Sequence, residues 1–189
     1  MNKLVFCSGN VEKFSNARLV CELYGIDLEQ AELSIDEIQS EDGDKIISDK
    51  LDKAYAILKK PVIVSDDSWE ISGLNGFPGP YMKSINHWFT TQDLLNLTSQ
   101  LEDRSVYLIQ RLGFKNENVT KFFTSKTKGT ILRQSRGEYG VASHKLISMD
   151  GDNGLTIAEV YDKGLDTVER EIAGSWHEFI EWYKNYISI

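Results

Sequence analysis

The chain has 189 residues, 41% of them hydrophobic, which suits one domain with a real core. Its 29 acidic residues outnumber 21 Lys and Arg, and the net charge of -8 argues against a broad nucleic-acid or anionic-membrane footprint. Only two cysteines occur, Cys7 and Cys21, both in apolar segments without zinc-like neighbours, and no stretch approaches about 18 consecutive apolar residues. With no signal peptide read at the start, these features imply a cytoplasmic, reducing location.

The elements follow in chain order. Leu4–Ser8 is a short apolar run of strand type, broken by Gly9-Asn10. From Val11 to Tyr24, Phe14, Ala17, Cys21 and Tyr24 recur at three or four residues, which predicts a helix stopped by Gly25. A second strand is expected around Glu32–Ile38. Asp44 is the expected cap of a helix running to about Lys59, with Ile47, Leu51, Ala54 and Leu58 as its buried stripe. Pro61–Ser65 reads as a third, buried strand. Strand, helix, strand, helix, strand is an α/β opening. Gln92–Leu101 reads as helix, and three later segments read as strands: 105–114, 119–132 and 155–160. The chain closes on an amphipathic helix over 174–187, with Ser175 and Glu178 as a capping-box signature. No repeat or linker divides the chain, so residues 1–189 are expected to form a single domain.

Two places carry chemistry. In Ser8-Gly9-Asn10-Val11-Glu12-Lys13 a strand meets a helix. With Asn10 as N-cap, Lys13 falls in the first turn, where a cation opposes the helix dipole. A bound phosphate would reverse that cost, because first-turn N–H groups, the Ser8 hydroxyl and the Lys13 ammonium would converge on one anion. The simpler alternative is a capped helix with Lys13 extended into solvent. The second place is Asp66, directly after the third strand. Ligands of open α/β sheets bind beyond the carboxyl ends of strands, where Ser8 also lies. A carboxylate there suits Mg²⁺ held by one or two acids and substrate phosphates, with Glu37 a further candidate ligand. The alternative is that Asp66 or Asp67 only caps a turn. Lys50 lies at the edge of its helix's apolar stripe, and Lys83 follows the Pro78-Gly79-Pro80 turn. Lysines, carboxylates and a helix N-terminus together suit a triphosphate with magnesium.

These residues resemble the inosine triphosphate pyrophosphatase family. The carrying features are Ser8–Lys13 as its S/T-G-N-x-x-K opening, the Pro-led strand ending at Asp66, the G-x-P-G-x-Y turn at Gly76–Tyr81, and the lysine after it, Lys83. They cover roughly the first 85 residues. The resemblance implies a long, twisted mixed sheet flanked by helices, in two lobes with a central cleft, and a homodimer. It implies hydrolysis of nucleoside triphosphates such as ITP, dITP and XTP to the monophosphate and pyrophosphate with Mg²⁺. It assigns Ser8, Gly9, Asn10 and Lys13 to triphosphate binding, with Asp67 also at the substrate. Glu37 and Asp66 become metal ligands, Asp66 also the base toward water, and Lys50 and Lys83 the phosphate-binding lysines. No nucleic-acid or membrane partner is implied.

The chain departs from that pattern in three places. Ser65 stands where the family has an acid. The F-G-[YW]-D-P motif is reduced to Glu138-Tyr139-Gly140-Val141-Ala142. The late Ser-His-Arg motif is missing, with Ser175-Trp176-His177 near its place and Ser143-His144-Lys145 too early for it. His144 and His177 read as structural or surface residues. The retained half binds phosphate and metal, while the diverged half reads the base. Altered base specificity and non-catalytic nucleotide binding therefore stay open.

Overall fold

The computed structural model describes residues 4–165 and 174–187. Its strands are β1 (Leu4–Cys7), β2 (Leu28–Ala31), β3 (Val62–Ile71), β4 (Pro78–Gly79), β5 (Ser105–Lys115), β6 (Thr120–Ile131) and β7 (Ile147–Met149). The helices are α1 (Val11–Leu23), α2 (Gly43–Leu58), α3 (Met82–Trp88), α4 (Thr91–Thr98), α5 (Ile157–Asp162) and α6 (Ser175–Ile187). The strands form one mixed sheet in the order β2-β1-β3-β5-β6-β7, with β4 paired to β3. β1 runs parallel to both β2 and β3, whereas the β3–β4 and β6–β7 pairs are antiparallel. The α/β class and the helix-flanked mixed sheet expected from the sequence are what the chain forms.

Two compact units make up the chain: Met1–Asp66 with Gln110–Ser125 and Thr167–Ile189, and Asp67–Ile109 with Lys126–Asp166. In the first unit β1 alternates faces, as a pleated strand must. Leu4 and Phe6 join Ala17, Val20 and Cys21 of α1 and Trp176, Phe179 and Ile180 of α6 in one cluster. Cys7 joins Ile47, Leu51 and Ala54 of α2 in another. Helices therefore cover both faces of this part of the sheet. β3 alternates in the same way, with Ile63 on the α1 side and Val62 and Val64 on the α2 side. In the second unit Ile71, Val106, Leu108, Ile131, Ile147 and Met149 are strand residues packed with Met82, Leu94 and Ile157 from α3, α4 and α5.

Several expectations need correction. The second strand is Leu28–Ala31, and residues 32–41 have no regular structure. The apolar alternation of Leu33 and Ile35 is real, but it packs these side chains against the α2 cluster instead of pairing a strand. The Ile35 N–H donates to the Leu33 carbonyl at 3.1 Å, which curls the backbone out of extension. Asp42, not Asp44, caps α2, accepting from the Asp44 N–H. β3 does not stop at Ser65. It continues to Ile71, because β4 supplies a new partner through Trp69 and Glu70. Residues 155–160 are not a strand: α5 occupies most of them, started by a Thr156–Glu159 capping box. α6 begins at Ser175 itself, so Ser175 is its first helical residue and not the residue before it.

Candidate functional site

The first unit holds the Ser8–Lys13 turn, Glu37, Lys50 and Asp66. β1 ends at Cys7 and α1 starts at Val11, so Ser8-Gly9-Asn10 is the whole connection. Asn10 is the N-cap, its Oδ1 accepting from the Lys13 N–H at 3.0 Å. The Asn10 N–H donates to Ser8 Oγ at 3.2 Å. Ser8 is also fixed through its backbone: its N–H donates to the Ala31 carbonyl, and its own carbonyl accepts from Gln30 Nε2 at 2.9 Å. Gln30 had no signal in the sequence, because β2 falls earlier than the apolar pattern suggested. Gly9 is exposed, its φ is not positive, and a Cβ built on it would meet none of the described residues within 4 Å. Among the described residues, neither conformation nor packing calls for glycine there. Its bareness gives a close anion access to the Val11 and Glu12 N–H groups at the start of α1, which have no intrahelical acceptors, the Lys13 N–H being taken by the Asn10 cap.

Lys50 organises the second group. Its Nζ donates to Glu37 Oε1 at 2.7 Å and to the Ser65 carbonyl at 3.2 Å. The lysine side chain is 17% exposed, against 49% for Glu37. One ammonium thus joins the 32–41 loop to β3. Alternation along β3 puts Asp66 on the α2 side with Val62 and Val64, the side from which Lys50 approaches. Asp66 Oδ2 is buried. Ser65 and Asp67 take the opposite face, so Asp67 shares the side of the missing acid but lies about 7 Å further along the strand. Lys50 also influences Cys7: burial pushes the thiol pKa up, and the nearby ammonium partly offsets this. The offset of β1 against β3 (Val5 with Val62, Phe6 with Ile63) carries on to set Ser8 level with Ser65. The two groups therefore border the same end of the parallel strand pair.

Glu37 and Asp66 are acceptor-only carboxylates, a donor chemistry that fits a hard, oxygen-seeking cation. Among the described residues no three His, Cys, Asp or Glu side chains form a metal-holding cluster. A cation here would complete its shell from water and a ligand's oxygens, as Mg²⁺ ordinarily does.

Asp67 and Lys83 belong to the second unit. Lys83 is exposed, in the first turn of α3. The turn before it is tied down by the Tyr81 N–H donating to the Pro78 carbonyl at 3.1 Å, with Phe77-Pro78 in the cis form and Gly79 at φ +59. His177 is exposed on α6. His144 is partly buried, its ring parallel to Tyr139, which stacks in turn on Tyr161 at 4.5 Å. The segment of the reduced motif stays mostly exposed, and it is held to α5 by Asp162, which accepts from the Glu138 and Tyr139 N–H groups.

The sequence profile of the Ham1 family matches residues 4–169. This chain belongs to the Ham1 family. A dITP/XTP pyrophosphatase of Methanopyrus kandleri is 30% identical to this Ham1 chain across 98% of each. One from Saccharolobus solfataricus is 28% identical over 96% of this chain and 95% of its own length. Among solved structures, a Ham1 protein of Coxiella burnetii superposes with a TM-score of 0.76 at 20% identity, over 100% of this chain and 99% of the other. The Staphylococcus aureus Ham1 protein gives 0.75 at 19%, over 97% and 99%. At those identities the structures establish the fold alone.

Proposed function

We propose that this Ham1 chain hydrolyses nucleoside triphosphates to the monophosphate and pyrophosphate, with Mg²⁺, and prefers deaminated purines such as dITP, XTP and ITP. The observation that carries the reading is the Lys50 ammonium between the Glu37 carboxylate and the Ser65 carbonyl, on the same side of β3 as Asp66. The names of the relatives support the substrate class. In this reading the α1 N-terminus, Ser8, Asn10 and Lys13 bind phosphate oxygens, and Lys50 and Lys83 neutralise charge on the chain of phosphates. Asp66 accepts a proton from the attacking water, which displaces pyrophosphate at the α-phosphorus as the α–β anhydride bond breaks. Glu37 and Asp66 would hold the magnesium, which supplies Lewis-acid neutralisation of phosphate charge when bound. The working form is taken to be a cytoplasmic homodimer.

The test is incubation with Mg²⁺ and, separately, dITP, XTP, ITP, GTP, ATP and pyrimidine triphosphates, with pyrophosphate release as the readout. Turnover highest on the deaminated purines is the expected result. Absence of turnover on every nucleotide sinks the reading, and a nucleotide-induced thermal shift without product would instead make the protein a nucleotide binder.

A further inference from the structure

Three residues on one face of β5 meet α2 in register. Arg111 Nε donates to Asp44 Oδ1 at 2.7 Å, and Lys115 Nζ donates to Asp52 Oδ1 at 2.6 Å. Asp44 to Asp52 spans about 12 Å of helix, and Arg111 to Lys115 about 13 Å of strand, so the two ion pairs match in spacing. Gly113 lies midway between the cations. A Cβ on Gly113 would stand 2.9 Å from Leu51 Cδ2 and 3.2 Å from the Phe122 ring. Gly43, the first residue of α2, repeats the pattern: a Cβ there would stand 2.6 Å from Arg111 Cζ. Neither glycine has positive φ. Glycine at Gly113 therefore serves close approach and not backbone conformation, and within a strand it sacrifices stability to do so, whereas at Gly43 the neighbour is the adjustable end of the Arg111 side chain.

The ion pairs alone would count for little, since Asp44 and Asp52 are 80% and 60% exposed. The contact at Gly113 is different, because it is buried and has no slack. Leu51, the residue seated on it, is completely buried and directly follows Lys50. We infer that the Arg111-Gly113-Lys115 face of β5 is a positioning device for Lys50, with Gly113 setting the depth of α2 and hence the reach of the Lys50 ammonium to Glu37 and Ser65. These are positioning residues and touch no substrate. Their kinetic effect rests on the proposed hydrolysis, but the placement of Lys50 does not.

Gly113→Ala wedges the contact, and Arg111→Met is the milder second variant should the wedge prevent folding. The first readout needs no nucleotide: the rate of lysine acetylation followed by mass spectrometry, with exposed Lys163 as internal reference. Lys50 should label at least about threefold faster in either folded variant. Unchanged Lys50 labelling in both overturns the inference, whatever the protein hydrolyses. The second readout applies to a wild type that turns over. Gly113→Ala should lower kcat/KM about tenfold in the wild-type background and by less than twofold in a Lys50→Ala background, because coupled residues are not additive. An equal loss in both backgrounds means that Gly113 acts on something other than Lys50, and overturns the inference. Failure of the wild type on every triphosphate refutes the functional reading and leaves the labelling result to decide the positioning.

Discussion

At the residue scale, the position of Asp66 in β3 speaks against the turn-capping alternative. The residue lies within a regular strand that runs on for five more residues, so it terminates nothing. Its Oδ2 is buried, and strand alternation assigns the residue to the α2 face of the sheet with Val62 and Val64. Asp66→Asn keeps the shape but removes the acceptor for water's proton. Turnover should fall by about 10²- to 10⁴-fold with the melting temperature little changed, as steady-state kinetics and thermal unfolding would show. Wild-type turnover in that variant would remove Asp66 from its role. Cys21 gives a second residue-scale outcome. Burial pushes its thiol up to about 12 from the ordinary 9.0. Above pH 9 the unfolded chain releases the proton while the folded chain keeps it. Stability is therefore complete below pH 9 and declines as pH rises toward 12, by up to ~1.4 kcal/mol per unit. Urea titrations between pH 8.5 and 10.5 should show a shallower decline in Cys21→Ala. An identical slope would assign the loss to other groups, such as Tyr183, whose hydroxyl burial also raises. The residues of the first turn were legible in the sequence because a cap and an out-of-place lysine are local signals. The bond from Lys50 to the Ser65 carbonyl was not, since a backbone oxygen carries no residue identity.

At the element scale, the two misread segments fail for different physical reasons. Residues 32–38 show a strand's alternation, but pairing depends on a neighbour that the local pattern does not encode. Residues 155–160 did announce themselves: Thr156-Ile157-Ala158-Glu159 is a T-x-x-E start, and its apolar content masked the signal. Thr156 is wholly buried. Its Oγ1 accepts from the Glu159 N–H at 3.1 Å and donates to the Arg136 carbonyl at 2.9 Å. Glu159 Oε2 accepts from the Thr156 N–H at 2.9 Å, and that hydrogen bond is the main cause holding the Glu159 carboxyl below its ordinary value. Thr156→Ala removes the cap of α5 and the hydroxyl that donates to the Arg136 carbonyl, so urea unfolding should show a loss of about 1–2 kcal/mol. Thr156→Ser retains the hydroxyl and should recover most of it. Equal losses in the two variants would point to the methyl group's packing instead of the cap.

At the scale of the whole molecule, overall charge and local site pull in opposite directions. The chain carries -8, and a nucleoside triphosphate is itself strongly anionic. Distant carboxylates repel such a ligand over tens of ångströms at low salt, where the Debye length is about 30 Å at 0.01 M. The contacts proposed for Lys13, Lys50 and the α1 N-terminus act within hydrogen-bonding distance, well inside the roughly 10 Å Debye length at 0.1 M. Adding salt up to about 0.1 M therefore removes more repulsion than attraction, and further salt toward 1 M, where the length is about 3 Å, weakens the contacts too. At constant saturating Mg²⁺, KM for the preferred triphosphate should fall and then rise between 10 mM and 1 M salt. Lys50→Met removes one short-range contact and leaves the distant acids in place, so it should flatten the rise and preserve the initial fall. A KM that climbs steadily from the lowest salt would mean that the site's own cations control the field well beyond contact range, and that the acidic surface has no part in substrate capture.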